Sequence, residues 1–145
     1  MLTLGSKRTA SHPGGLDMIR AVVTPHGSPP PLAPYSPGIK VGTVLYTSGT
    51  LALDKDGNLV GGADAGEQTR QVLENIRSII ESAGGSMADV AFNMIFLKDL
   101  ADYAKMNAVY AKYFPRNPPA RACVRADLVK PEFLVEIVAT AYLPS

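Results

Sequence analysis

Leu134-Val135-Glu136-Ile137-Val138-Ala139-Thr140-Ala141-Tyr142 is a β-branched, apolar run near the C-terminus with a single carboxylate inside it. Its length and composition predict a central strand, and a charge within such a strand needs a partner. Shortly upstream, Pro119-Ala120-Arg121-Ala122-Cys123-Val124-Arg125 predicts a second strand. A period of two puts Arg121, Cys123 and Arg125 on one face, and Ala120, Ala122, Val124 and Ala126 on the other. The expectation is that the alanine and valine face belongs to the core and the arginine and thiol face carries chemistry. An arginine and a thiol on one strand, with a carboxylate on the next, predict a compact polar cluster able to bind an anion and move a proton.

Working back toward the N-terminus, Leu100 to Phe114 predicts a helix that begins after Asp99 and stops at Pro115. Its apolar stripe is Leu100, Tyr103, Met106, Tyr110 and Phe114, with Asn107 on or beside it. Ala91 to Leu97 is almost wholly apolar and suits the middle of a sheet. The clearest helix carries Val72, Leu73, Ile76, Ile79, Ile80 and Ala83 at three- and four-residue spacing. Asp64 and Glu67 have capping-box spacing at its start, and Gly84-Gly85 supplies a left-handed stop. Before it, Ile19 to Thr24, Ile39 to Val41, Val44 to Ser48, and Leu51 to Leu53 returning through Leu59-Val60 read as strands. Prolines 25, 29, 30, 31, 34 and 37 exclude a central strand between the first two. The order β-β-β-β-α-β-α-β-β predicts an α+β fold, with two helices packed on one face of a mixed sheet. The other face then needs cover, and a partner subunit is the economical one.

The 145 residues suit one domain, and the 14 basic against 13 acidic residues leave a formal charge of +1 with no basic stripe for a phosphate backbone. No nucleic-acid partner is expected. The lone cysteine, Cys123, excludes an intramolecular disulfide framework and fits a reducing, cytoplasmic compartment. No apolar stretch reaches membrane-spanning length, so no membrane partner is expected. Residues 1–17 are Ser-, Gly- and Thr-rich and lack a secretory signal's apolar stretch. They predict a disordered tail before a single domain over 18–145.

Other chemistries fare poorly. His12 falls in the tail and His26 in the proline loop, no Cys or His spacing matches zinc, and neither a P-loop, a dinucleotide fingerprint nor a nucleophile elbow occurs. No metal and no cofactor is expected. Cys123 reads either as a small buried hydrophobe or as a thiol whose pKa the nearby arginines lower. Tyr35, between Pro34 and Pro37, either plugs its loop onto the core or presents a fixed hydroxyl. Gly49, inside a strand-like run, marks a bulge or a close approach, by backbone or by ligand. Asn107 reads as a structural hydrogen-bonder or a cleft residue.

Five motifs in order carry a resemblance. They are Ala33-Pro34-Tyr35-Ser36-Pro37-Gly38, Ser48-Gly49-Thr50, Tyr103-Ala104-Lys105-Met106-Asn107, Pro119-Ala120-Arg121-Ala122-Cys123 and Leu134-Val135-Glu136-Ile137. From about Ala21 onward the chain resembles the YjgF/RidA family of enamine and imine deaminases, and most of all its RutC members of pyrimidine breakdown. The resemblance implies a chorismate-mutase-like fold assembled as a homotrimer with clefts at the subunit interfaces. It also implies that Arg121 binds a substrate carboxylate, that Gly49 and the Cys123 amide lie against the ligand, that Tyr35 and Asn107 line the cleft, and that Glu136 activates water. Thr50 stands where most of the family has Gln, and Val138 where many have a second Glu. Both departures resemble the RutC group and shift the expected substrate from 2-aminoacrylate toward 3-aminoacrylate. The alternatives are a non-catalytic trimeric module that binds small carboxylates or docks proteins, and a ribonuclease, which would need a basic surface for phosphates.

Residues 1–17 lack the apolar periodicity needed to offset ordering entropy. A protein beginning at Met18 is therefore expected to keep the melting temperature and activity of the full chain; a large drop in either would place the tail in an interface.

Overall fold

Alternation along the final strand organises the architecture. In this computed structural model, which describes residues 19–145, Val135, Ile137, Ala139 and Ala141 are buried while Glu136, Val138, Thr140 and Tyr142 turn the other way. The predicted tail, residues 1–17, lies outside the described residues. The strands are β1 (Arg20–Val23), β2 (Gly38–Val41), β3 (Val44–Thr47), β4 (Val90–Leu97), β5 (Ala120–Arg125) and β6 (Val135–Tyr142). They form one mixed sheet in the order β1-β2-β3-β6-β4-β5. Only β4 and β5 pair in parallel, and helix α2 (Tyr103–Tyr113) lies between them in sequence. Helix α1 (Ala65–Ser82) packs on β6 and on α2.

The expected α+β architecture with two helices is the one observed. Val72, Leu73, Ile76, Ile79 and Ile80 of α1 meet Ile95 and Leu97 of β4, the buried residues of β6, and Met106, Tyr110 and Phe114 of α2 in one core. Asp64 caps α1 by accepting from the amides of Gly66 (2.9 Å) and Glu67 (3.3 Å). The Glu67 side chain does not close a capping box; it pairs with Arg70 at 3.3 Å. Gly84, at φ +91°, ends the helix: its N–H reaches Glu81 O and the Gly85 N–H reaches Ile80 O, each at 3.0 Å, the pairing of a Schellman stop.

Three expectations are corrected. The predicted fourth strand is reduced to isolated bridges, Thr50 with Ile137 and Leu53 with Leu59, because 51–59 folds into a satellite cluster with Phe133 instead of extending the sheet. The second helix begins as a single 3₁₀ turn, Leu100–Asp102, capped by Asp99, and Leu100 and Tyr103 are exposed, so its buried stripe starts only at Met106. On β5, Ala120, Ala122 and Val124 are exposed while Arg121 and Cys123 are half-buried. The helices cover the arginine and thiol side, the reverse of the expected core face.

The uncovered face of the sheet is apolar. Phe92 is 39%, Val124 41%, Tyr46 50% and Tyr142 59% exposed, which is too much aromatic and aliphatic surface for a finished sheet face. The pairs Phe92 with Thr140, Tyr46 with Thr140, Val44 with Tyr142, and Phe96 with Val124 put all four on one side. No helix among the described residues is long and apolar enough to cross a membrane.

One buried side chain ties α1 to the loop before β6. Gln68 Nε2 donates to Gly62 O (2.7 Å) and Glu132 O (3.0 Å), and its Oε1 accepts from the Leu134 amide (2.9 Å). Gln68→Leu would leave three backbone groups without partners and is expected to destabilise the fold by about 2–4 kcal/mol, read from denaturant unfolding. An unchanged midpoint would mean that water replaces the amide.

Candidate functional site

Arg121 sits on the edge strand opposite fully buried Asn93 of β4, on the side that α2 covers. Its Nη2 donates to Asn107 Oδ1 at 2.7 Å and to Tyr103 OH at 3.1 Å, and its Nη1 lies 3.9 Å from Met106 Sδ. The guanidinium carbon stands 4.8 Å from the centre of the Tyr110 ring and 5.6 Å from that of Tyr103. All of these partners are neutral. The ion pairs among the described residues, Arg70 with Glu67 and Arg77 with Glu74, do not include Arg121. A half-buried cation held in a fixed plane, in no ion pair among the described residues, has the donor geometry to match a planar anion such as a carboxylate.

The side chains that hold Arg121 were only partly legible. Asn107 anchors the arginine and not a backbone group, while Tyr103 and Tyr110 read as ordinary members of an apolar stripe. Asn93 Nδ2 donates to Tyr110 OH at 2.9 Å, and burial pushes that phenol up from its usual range. Asn93 Oδ1 is buried without a partner among the described residues. Its only sequence signal is a lone amide in an apolar strand. Cys123 packs beside the core, and its pKa is raised, because burial outweighs the opposing charge of Arg121. Of the two readings of Cys123, the small apolar side chain packed on the core is the one observed, and the thiol with a pKa lowered by arginines is not: the group stays protonated at neutral pH. Arg125 is exposed.

Glu136 belongs to a second group of residues. It pairs with Phe96 across β4 and β6, on the uncovered sheet face. Burial raises its carboxyl above the ordinary range. Beside it run Ser48, Gly49 and Thr50. Thr50 N donates to Ile137 O at 2.9 Å and Ile137 N to Thr50 O at 3.2 Å, so this segment is stitched to β6 next to the carboxylate. Ser48 ties it to the proline loop through Ser48 N to Pro37 O (2.9 Å) and Ser48 Oγ to Ser36 O (2.6 Å). Tyr35 is exposed on that loop, and its hydroxyl accepts from Leu32 N at 3.2 Å. Tyr35, Ser48, Gly49 and Thr50 line one cleft together with Pro30 and Ile79.

The expected cluster of Arg121, Cys123 and Glu136 is not assembled within one chain. Arg121 pairs with Asn93 and Glu136 with Phe96. Residues 93 and 96 are an odd number of positions apart on one strand, so their partners lie on opposite faces of the sheet. The chain therefore presents two half-sites: a cationic one around Arg121, Asn107 and Cys123, and a carboxylate one where Glu136 lies against Gly49; Tyr35 and Thr50 line the adjoining cleft, which shares Gly49 with the carboxylate half and does not have Glu136 in its wall. Among the described residues, no three His, Cys, Asp or Glu gather as metal ligands.

Residues 26–143 match the family described as Endoribonuclease L-PSP. The chain belongs to that family, also known as YjgF/RidA. Over 126 residues, which are 87% of this chain and 100% of the relative, it is 51% identical to the 3-aminoacrylate deaminase RutC of Acinetobacter baylyi. The structure resembles that of RidA from the Antarctic bacterium Psychrobacter (TM-score 0.79, 35% identity, 84% of this chain and 98% of that one). It also resembles the YjgF gene product of E. coli (TM-score 0.77, 31% identity, 83% and 97%). Membership in the YjgF/RidA family accounts for the mixed sheet and the two helices, and the resemblance noted in the sequence is confirmed at this level.

The raised carboxyl of Glu136 has a sign that can be measured. The folded chain takes up this proton more readily than the unfolded one, so stability falls as pH rises from the unfolded value through the folded one, and ionised Glu136 destabilises the fold at neutral pH. Glu136→Gln is expected to raise the melting temperature at neutral pH by a few degrees. The two melts should converge below about pH 4, where the parent carboxyl is protonated in both states. A lower melting temperature at neutral pH would mean that the carboxylate has a stabilising partner.

Proposed function

We propose that the protein is an enamine and imine deaminase that hydrolyses a small aminoacrylate, with 3-aminoacrylate preferred over 2-aminoacrylate, to a semialdehyde or keto acid and ammonia. The geometry supporting this reading is the separation of a counter-ion-free arginine from a protonatable carboxylate by the thickness of one sheet. Each half-site is chemically incomplete, and a second copy docked on the apolar sheet face would supply the missing half. In this reading the chains form a homotrimer with the chorismate-mutase-like architecture and three interface clefts. Phe92, Val124, Tyr46 and Tyr142 belong to the contact. The identity with a RutC deaminase supports the substrate class, and with it a cytoplasmic place in pyrimidine breakdown.

The chemistry balances without an oxidant or reductant. The enamine tautomerises to an imine, water adds to the imine carbon, and the carbinolamine expels ammonia. Arg121, fixed by Asn107 and Tyr103, binds the carboxylate and holds the acrylate plane. Glu136 takes the proton of the attacking water and returns one to the leaving nitrogen, a role suited to a carboxyl raised by burial. Tyr35 and Thr50 line the carboxylate side of the cleft, and the Cys123 amide lies against the ligand. The thiol of Cys123, held protonated, is not a nucleophile in this scheme.

The test pairs ammonia release with ligand titration, against a control without protein because these enamines hydrolyse unaided. Glu136→Gln is expected to lower turnover by roughly 10²–10⁴ while a non-reactive keto acid still binds. Arg121→Lys should weaken that binding by about 1.5–3 kcal/mol through loss of the bidentate fork. Light scattering should give about three times the chain mass. Ligand binding without ammonia release in the parent protein would favour a carboxylate-binding module, and a monodisperse monomer would remove the interface cleft.

A further inference from the structure

Gly49 needs an explanation that its backbone does not give. Gly27, Gly42, Gly57, Gly61, Gly62 and Gly84 have positive φ, where glycine is favoured for its conformational freedom, but Gly49 is not among them. Its constraint is spatial. A Cβ placed on Gly49 would lie 2.7 Å from Glu136 Oε1, 2.9 Å from Cδ and 3.3 Å from Cγ. Among the described glycines it alone has all three nearest neighbours in one acidic side chain.

The surrounding backbone has little freedom to yield. On one side of Gly49, Thr50 makes two hydrogen bonds to Ile137, the residue after Glu136; on the other, Ser48 is held by Ser36 O and Pro37 O. Thr50 Oγ1 closes the segment by donating to Ser48 O at 3.0 Å. A methyl group at position 49 would therefore displace the mobile member of the contact, the carboxylate end of Glu136, and leave the bridged backbone of Thr50 and Ile137 in place.

We propose that Gly49 is a positioning residue for Glu136: its missing side chain leaves a berth in which the carboxylate is held against the backbone of residues 48–50. The inference deepens the deaminase reading and rests on it for the kinetic consequence, while the contact itself is independent of any activity. It differs from a role in which Gly49 merely makes room for the substrate. In that case a methyl group would act on ligand affinity, whereas a displaced base acts on the chemical step.

The experiment uses the full chain carrying Gly49→Ala, Glu136→Asp, and both. Gly49→Ala is expected to lower kcat by more than about tenfold, a part of the roughly 10²–10⁴-fold contribution of a well-placed acid–base group, with keto-acid affinity close to that of the parent. Glu136→Asp alone should also be slow. The double variant should be faster than Gly49→Ala, because the side chain shortened by one methylene no longer meets the new methyl group. Undiminished kcat in Gly49→Ala would overturn the proposal, as would a fall in affinity with no rescue by Glu136→Asp, which would put the glycine against the ligand.

Should the parent protein release no ammonia, the deaminase reading fails and melting temperatures decide the contact alone. Gly49→Ala should then lower the melting temperature in the parent but less in a Glu136→Ala background, where the obstructed side chain is gone. Equal losses in the two backgrounds would overturn the berth.

Discussion

The antiparallel register between β4 and β6, with Ile95 opposite Ile137, is the constraint on which the rest of the molecule depends. It sends Val135, Ile137, Ala139 and Ala141 beneath α1 and leaves Glu136 and Val138 on the far side. A slip of one residue would drive a carboxylate into the centre of the core and expose the residues that α1 packs against. Burying a large aliphatic side chain contributes about 1.5–3 kcal/mol, and burying an unpaired carboxylate has a penalty of the opposite sign, so both effects select the same register.

Together with the parallel register of β5 on β4, that register also fixes the electrostatics. The positive charge of Arg121 lies beneath α2 among amide, phenol, thioether and aromatic groups; the ionisable Glu136 lies on the other face and belongs to no ion pair among the described residues. Partial burial of an ionised group that lacks a partner of opposite charge costs the isolated chain free energy. The neutral cradle orients the guanidinium without neutralising it, and the Ser48–Thr50 backbone, bonded to Ile137, runs close against the carboxylate.

Much of this was legible in the sequence, and the parts that were not have a common cause. The α1 stripe, the Asp64 cap and the Gly84 stop depend on residues within a few positions of each other, so spacing alone reveals them. Arg121 and Glu136 stand out by type, as charges in apolar strands. Their relation to each other depends on how β5 and β6 align against β4, a long-range fact that no local pattern contains. The same gap explains the reversed reading of Ala120, Ala122 and Val124: alternation separates two faces of a strand but does not say which one the helices cover. Tyr103 and Tyr110 fell into an apolar stripe because a phenol that holds an arginine has the same spacing as one that fills a core.

Parallel pairing of β4 with β5 obliges the chain to cross over, and α2 is that crossover. Asn93, Tyr103, Asn107, Tyr110 and Arg121 consequently fall within one continuous stretch of sequence. The cationic cradle is heritable as a block: a recombination that brings in residues 93–121 imports the arginine with every side chain that orients it. Tyr35, Ser48 to Thr50 and Glu136 come from three distant stretches, and any redesign of that half must change them in concert. Exchange of segments among relatives would therefore preserve the arginine cradle more readily than the placement of Glu136.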